Sequence, residues 1–249
     1  MYYLILVLGI IVGYLSGSVS YARIFSRIGK GVDITKVGNG NPGTSNVMRE
    51  VGKLWGSFTL LGDSLKGVLP MILFKYLFLS ETSIFSISMP FSGAGYVVVA
   101  LIGFAAIYGH AYPVFYRFKG GGSLGVLFGC WWFLLYPQFL ICVALSYIIV
   151  KLFLPNKKYP MGRMTPVVFV VMTPLFILAE SLFISEWHPF HVNSVLFDHI
   201  GWGNHFLSLN GGGWLLVVSF FVFALSVIPI NSSLLKNEVL KREKKDGRN

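Results

Sequence analysis

Long apolar runs, each about as long as a bilayer is thick, dominate this chain. A helix needs about 20 consecutive apolar residues to cross the hydrocarbon core of a membrane. Apolar residues make up 55% of the 249 positions, and Asp, Glu, Lys and Arg together make up only 12%. Ordinary soluble domains carry roughly twice that share of charge. The sequence therefore predicts an all-α, polytopic membrane bundle and excludes a soluble fold.

The apolar runs and the breaks between them predict seven transmembrane helices. Pro137 interrupts one run that is too long for a single span, and we read that run as two helices. No basic segment precedes the first run, so we expect a first helix rather than a cleaved signal peptide. We place the helices near residues 2–22, 55–79, 91–113, 123–136, 137–154, 166–184 and 214–230.

The positions of the basic residues predict how the bundle is oriented. With seven helices and the N-terminus outside, 18 of the 20 Lys and Arg residues lie in four cytoplasmic segments. Cytoplasmic loops are enriched in Lys and Arg, so this arrangement is favoured over six helices. Topology thus explains the net charge of +10, and no nucleic-acid partner is expected. We expect a single domain over 1–235 and a basic cytoplasmic tail over 236–249.

The two cysteines indicate neither a disulfide scaffold nor a metal centre. Cys130 and Cys142 lie inside apolar runs, twelve residues apart, and that spacing matches no metal-binding motif. We interpret them as small buried hydrophobic residues. No metal and no cofactor are expected.

A glycine- and asparagine-rich segment over 38–46 is the first of three polar clusters. Such segments expose backbone N–H groups that can surround an anion, and a nearby arginine adds a charged fork. The functional interpretation is a phosphate cradle, and the alternative is a turn-rich connector. The candidate binding residues are Gly38, Asn39, Gly40, Asn41, Gly43, Asn46 and Arg49.

The second cluster is a pair of charges inside an apolar span. Asp63 and Lys66 are three residues apart, so they share one face of a helix and can pair. Charges in a span are costly and face the bundle interior or a polar cavity. Either a wall of a site or a structural ion pair explains them.

The third cluster follows the third span, at His110 and then at 119–123. Lys119, Gly120 and Gly121 precede a predicted helix start, where exposed N–H groups and the helix dipole favour anions. We expect Ser123 to cap that helix. The segment 121–125 also fits G-x-S-x-G, but that signature needs a preceding strand, and none is expected here.

The order of these motifs resembles the bacterial PlsY family, the membrane acyl-phosphate:glycerol-3-phosphate acyltransferases. The resemblance covers about residues 12–125, half of the chain. It rests on the segments 17–22, 32–49, 63–67, 109–115 and 118–121. It implies a seven-helix fold with an outside N-terminus and a cytoplasmic site in the bacterial cell membrane.

The resemblance also implies an activity and roles for the clustered residues. The family moves a fatty acyl group from acyl phosphate to the 1-hydroxyl of glycerol 3-phosphate, giving lysophosphatidic acid for phospholipid synthesis without a metal or acyl-CoA. Arg49 and Lys119 would hold phosphate, and the asparagines and glycines would shape the cradle. Asp63 and Lys66 would brace it. His110 and Ser123 are the catalytic candidates.

The chain departs from the family pattern at three places. Asn39 occupies the position of a serine, Gly122 that of a lysine, and 227–231 that of an Arg-His-x-x-Asn string. The alternative function is therefore a catalytically degenerate member that binds lipid or phosphate, or that serves as a subunit of a membrane complex.

The segment 185–213 is an addition relative to the family and contains four of the five histidines. Interfacial aromatic and polar residues explain this composition most simply. A docking surface for a membrane protein partner is the next interpretation. A metal site is the weakest, since the spacing matches no known signature.

Overall fold

The structure is a computed structural model that describes residues 2–79, 94–134, 136–153 and 161–183, together with the separate positions 218, 221, 222, 224 and 225. These residues form helices, turns and connecting segments, and no strand occurs among them. The all-α prediction is confirmed.

Eight α-helices lie in the described residues. Helix α4 continues into one π-helical turn at Lys75–Leu79, and a short 3₁₀ turn at Val114–Tyr116 lies between α5 and α6. The α-helices are α1 Tyr2–Ser18, α2 Tyr21–Lys30, α3 Thr44–Glu50, α4 Lys53–Phe74, α5 Ala94–Ala111, α6 Leu124–Leu134, α7 Tyr136–Phe153 and α8 Met161–Phe183.

Three helical segments are long and apolar enough to cross a membrane: Tyr2–Lys30, Lys53–Phe78 and Val97–Tyr116. Shorter apolar helical segments cover Leu124–Leu134, Phe139–Phe153 and Thr165–Ala179. Six of the seven predicted spans thus correspond to helices. The seventh, 214–230, lies mostly outside the described residues, and the segment 185–213 and the tail 236–249 lie wholly outside them. The orientation of the bundle stays a prediction.

The first predicted helix is wrong at its C-terminal end. We expected one helix over 2–22, but α1 ends at Ser18 and α2 begins at Tyr21. Arg23, Arg27 and Lys30, which belong to the first predicted cytoplasmic segment, therefore lie on a helix. Gly31 ends α2 in the left-handed conformation (φ 66°), and its N–H donates to the carbonyl of Arg27 at 2.9 Å. This is the usual glycine termination of a helix.

The chain divides into two compact units. The first, which we call the site unit, comprises Val7–Met71 and Leu101–Cys130 among the described residues. The second is built from the remaining described residues, and in it α7 packs against α8. The ring of Phe169 lies 5.2 Å from the ring of Trp131 and 5.2 Å from that of Phe139. These three buried aromatic residues form part of the core of the second unit.

Glycines allow the helices of the site unit to approach closely. Gly13 and Gly17 of α1 face the backbone of α5 at Ile102 and Ala106, and Gly109 of α5 faces the backbone of Tyr14. Gly13 and Gly17, four residues apart on α1, therefore serve helix packing, as small residues commonly do in membrane bundles. Close packing here fixes the C-terminal end of α5, which carries His110.

A side chain at position 17 is expected to loosen this packing. In Gly17→Ala the new Cβ would overlap the backbone of Ala106, which cannot move away as a side chain would. Overpacking of this kind costs about 1–3 kcal/mol of the free energy of unfolding. Thermal unfolding in detergent would show the loss, with Leu15→Ala on the exposed side of α1 as the control. Equal melting temperatures for wild type and Gly17→Ala would contradict this packing.

Candidate active site

The segment between α2 and α3 is folded by short-range hydrogen bonds. The carboxylate of Asp33 accepts the hydroxyl of Thr35 at 2.7 Å and its N–H at 3.0 Å. These two hydrogen bonds hold the pKa of the Asp33 carboxyl below its usual value, because both favour the charged form. Asp33 therefore keeps its charge to a lower pH than an ordinary aspartate does.

Asn46 holds the same segment from the inside. Its side-chain nitrogen donates to the carbonyls of Ile34 and Val37, both at 3.1 Å, and its Oδ1 accepts the N–H of Asn39 at 3.3 Å. The side chain is only 1% exposed. Asn46 was a candidate for contacting the ligand, but its carboxamide is used within the loop.

Two glycines with left-handed backbones turn the chain directly before Asn41. Gly38 (φ 59°) and Gly40 (φ 76°) both adopt the left-handed conformation that favours glycine. The N–H of Asn41 donates to Oδ1 of Asn39 at 3.1 Å. Oδ1 of Asn41 is buried and has no hydrogen-bond partner among the described residues.

A buried polar cluster joins α4, α5 and the end of α1. The ammonium of Lys66 lies 2.9 Å from the carboxylate of Asp63, so the expected ion pair is present. The same ammonium donates to the carbonyl of Val19 at 2.7 Å and lies 2.7 Å from Nδ1 of His110. All three charged or titratable side chains are buried. Ser16 adds a hydrogen bond from its hydroxyl to the carbonyl of Lys66.

This cluster determines which nitrogen of His110 carries the proton. An ammonium has three donors and no acceptor, so Nδ1 of His110 must accept from Lys66. In the neutral ring the proton is then on Nε2. Nε2 borders Gly121: a Cβ built on that glycine would lie 2.5 Å from Nε2, 2.9 Å from the carbonyl of Pro42 and 3.3 Å from Oδ1 of Asn41.

The glycines before α6 do not present free N–H groups as the sequence suggested. The N–H of Gly120 donates to the carbonyl of Ala111 and that of Gly121 to the carbonyl of His110, both at 3.1 Å. These hydrogen bonds satisfy the last carbonyls of α5, which a helix end leaves without partners. The two glycines are needed for close approach, since a Cβ at Gly120 would overlap those carbonyls.

The expectation that Ser123 caps α6 is wrong. An N-cap residue usually has an extended backbone, whereas Ser123 is left-handed (φ 61°). Its buried hydroxyl donates instead to the carbonyl of Ile107 at 2.9 Å. Ser123 therefore ties the start of α6 to α5.

The two basic residues expected to bind phosphate, Arg49 on α3 and Lys119 before Gly120, have exposed side chains. The carbonyl of Lys119 accepts a hydrogen bond from the guanidinium of Arg23 at 2.9 Å, and that guanidinium lies 4.5 Å from the ring centre of Tyr116. Sequence reasoning did not single out Arg23 or the carbonyl of Val19. Arg23 resembled the other basic residues that set the orientation of the bundle, and the sequence does not indicate what a backbone carbonyl will bind.

The structure thus brings together Asn41, His110 and Gly121, with Asp63 and Lys66 behind the histidine. No group of three metal-ligating side chains occurs within the described part of the chain. The histidines of 185–213 lie outside it.

A family model described as glycerol-3-phosphate acyltransferase matches residues 7–229. The match covers most of the chain and includes every residue of the candidate site. The chain belongs to this family. The resemblance inferred from the motifs is therefore confirmed.

Curated members of the acyltransferase family agree with this assignment. A glycerol-3-phosphate acyltransferase of Rubrobacter xylanophilus is 44% identical over 115 residues, which are 46% of this chain and 50% of the relative. The relative from Mycoplasma mycoides is 29% identical over 209 residues, covering 83% of this chain and 74% of the relative. The relative from Azotobacter vinelandii is 33% identical over 160 residues, covering 63% and 74%. The chain spans about half the length of the Rubrobacter relative.

Solved structures support the fold. The crystal structure of PlsY, an integral membrane glycerol 3-phosphate acyltransferase, in its glycerol 3-phosphate form matches with a TM-score of 0.64 at 22% identity, covering 95% of this chain and 93% of PlsY. The lysophosphatidic acid form matches with a TM-score of 0.63 at 21% identity, with the same coverage of both chains. The chain therefore has the PlsY fold and is a multi-pass membrane protein.

Proposed function

We propose that this acyltransferase-family chain transfers a fatty acyl group from acyl phosphate to glycerol 3-phosphate and forms lysophosphatidic acid for phospholipid synthesis. The convergence of Asn41, His110 and Gly121, held in place by the buried pair Asp63–Lys66, carries the proposal. Polar groups buried to this extent in a membrane helix are costly and usually functional.

The reaction needs positioning and charge neutralisation more than acid–base power. A hydroxyl oxygen of the acceptor attacks the acyl carbon, the bond to the phosphate oxygen breaks, and inorganic phosphate leaves with the electron pair. The proton lost by the hydroxyl is taken up by the released phosphate, which leaves as hydrogen phosphate. Because acyl phosphate is already activated, no metal or cofactor is required. Holding two anions side by side in line supplies much of the rate.

The structure suggests a role for each part of the site. Arg49 and Lys119 have exposed side chains and would bind the phosphates. Asn41, supported by Asn39 and Asn46, lines the inner side. His110 is a hydrogen-bond donor through Nε2 and not a base, because Nδ1 is occupied by the ammonium of Lys66. Asp63 and Lys66 are positioning residues.

The side of the membrane that the site faces and the route by which acyl phosphate enters follow from the same proposal. The site would face the cytoplasm of a bacterial cell, since the basic segments lie on that side in the predicted topology. The acyl phosphate would enter from the lipid phase because its chain is apolar. In the same predicted topology the segment 185–213 lies on the opposite side, where interfacial residues explain its composition most simply and a docking surface for a membrane protein partner is the second interpretation.

Arg49→Ala tests the proposed phosphate contact. We expect kcat/KM for acyl transfer to fall about a hundredfold or more, because a charge-assisted contact to the phosphate is lost. The assay would use purified protein in detergent or bilayers, palmitoyl phosphate and glycerol 3-phosphate. Arg27→Ala removes an exposed arginine from α2 and should leave the rate unchanged. Full activity of Arg49→Ala would remove Arg49 from the site.

The same assay on the wild type decides between the two functions inferred from the sequence. Gly122 lacks the positive charge that the family usually has at that position. Lysophosphatidic acid formed at a rate comparable to that of an intact relative would show that the remaining groups suffice. Binding of glycerol 3-phosphate without product would instead identify a binding protein or a partner subunit.

A further inference from the structure

Two polar atoms that have no hydrogen-bond partner among the described residues lie beside Gly121. Oδ1 of Asn41 is a buried acceptor, and no hydrogen bond of the described residues reaches it. Nε2 of His110 is a donor, and the hydrogen bond and ion pair of this ring among the described residues are both made by Nδ1, to Lys66 and Asp63. A buried polar group without a partner in a native structure calls for a ligand or a water.

The two atoms are close enough for one small group to contact both. Nε2 of His110 lies 2.5 Å, and Oδ1 of Asn41 lies 3.3 Å, from the point where a Cβ on Gly121 would stand. They are therefore separated by less than about twice a hydrogen-bond length. A single oxygen atom between them can accept from one and donate to the other.

We propose that His110 Nε2–H and Asn41 Oδ1 together bind the secondary hydroxyl of glycerol 3-phosphate, the hydroxyl that does not react. This inference rests on the proposed function. The pair makes the site specific for an acceptor with a hydroxyl beside the reacting one.

A hydroxyl fits this place better than a phosphate oxygen does. The carbonyl of Pro42 lies 2.9 Å from the same point, so two of the three protein atoms nearest to it are carbonyl-type oxygens and the third is the donor Nε2. A phosphate dianion only accepts hydrogen bonds and would be repelled by both oxygens. A hydroxyl has one donor and two acceptor lone pairs, which match Asn41 and His110. The hydroxyl bound here is not the nucleophile, because a hydrogen bond from Nε2 to its oxygen would weaken the attack.

Lys66 makes the pair selective. Its ammonium occupies Nδ1 of His110 and so keeps the donor on Nε2. If the ring carried its proton on Nδ1 instead, Nε2 and Asn41 would both be acceptors, and a hydroxyl could satisfy only one of them. Lys66 thus acts through His110 as a positioning residue.

The test compares two acceptors that differ only in the secondary hydroxyl: glycerol 3-phosphate and 3-hydroxypropyl phosphate. With palmitoyl phosphate as donor, we expect wild-type kcat/KM to be about 10- to 100-fold lower for 3-hydroxypropyl phosphate. In Asn41→Ala this difference should shrink to less than about threefold. Ser45→Ala, an exposed change on the neighbouring α3, should keep the wild-type difference. Equal wild-type rates, or an undiminished difference in Asn41→Ala, would mean that the pair holds only a water.

Binding measurements distinguish a failure of this inference from a failure of the proposed function. If the wild type forms no product, the acyl-transfer function fails, and calorimetry with the same two phosphates decides the inference alone. A Kd at least tenfold lower for glycerol 3-phosphate supports the hydroxyl site, and equal Kd values overturn it.

A measurement on the unaltered protein covers the case in which Asn41→Ala does not fold. In ¹⁵N-histidine-labelled protein, the resonances of His110 are identified by their absence from His110→Gln. They should show the Nε2–H tautomer and shift with glycerol 3-phosphate but not with 3-hydroxypropyl phosphate. An Nδ1–H tautomer, or an equal response to the two compounds, would overturn the proposal.

Discussion

Lys66→Met is expected to destabilise the protein by about 3–5 kcal/mol, because it leaves the buried carboxylate of Asp63 without its cation. The carbonyl of Val19 and Nδ1 of His110 lose their donor at the same time. Acyl transfer should fall with stability, since the proton of His110 is no longer held on Nε2. Thermal unfolding in detergent, together with the acyl-transfer assay, measures both effects.

Two further variants test whether the unpaired charge of Asp63 causes the loss of stability. Lys53→Met removes an exposed lysine from the first turn of the same helix and should change stability by less than about 0.5 kcal/mol. The double variant Asp63→Leu with Lys66→Met removes the unpaired charge, so we expect much of the stability to return without the activity. A stable and active Lys66→Met single variant would show that the buried cluster supports neither stability nor acyl transfer.

Gly121→Ala is expected to reduce acyl transfer by about a hundredfold while the protein still folds. The new Cβ would stand between Nε2 of His110, the carbonyl of Pro42 and Oδ1 of Asn41, where we place the acceptor. Displacing reacting groups by about 1 Å can cost this much. The backbone of Gly121 is not in the left-handed region, so the effect would be steric and not due to backbone strain.

Gly31→Ala is the matched control for this substitution. Gly31 is left-handed (φ 66°), but no atom lies within 4 Å of a Cβ built on it. Strain should cost about 1 kcal/mol of stability, and kcat/KM should stay at the wild-type value. If Gly121→Ala and Gly31→Ala were equally active, the space beside Gly121 would not be part of the acceptor site.

Hydropathy predicted the helices well because every span must satisfy its backbone inside the membrane. It did not predict the break at Val19 and Ser20. Neither residue is a proline or glycine, and the helix predicted over 2–22 runs through the break. What favours the break is tertiary: the hydrogen bond from Lys66, 47 positions away in the sequence.

The sequence indicated which residues are candidates for the site better than it indicated which groups they contact. The spacing of Asp63 and Lys66 predicted their pairing, because three residues on a helix bring two side chains to one face. The roles of Asn46 and Gly120 were not predictable, since composition indicates how many amide groups a segment has but not which carbonyls they meet. Their partners lie in the loop core and at the end of α5.

The gap between α1 and α2 also bears on how members of this family are compared. In an unbroken helix the carbonyl of Val19 would accept the N–H of Arg23, but that N–H bonds to Ser20, and the carbonyl binds Lys66 instead. The contribution of position 19 is thus made by its main chain. Evolution is free to change its side chain so long as the interruption persists. An alignment would then score position 19 as variable although the lysine of the site depends on it.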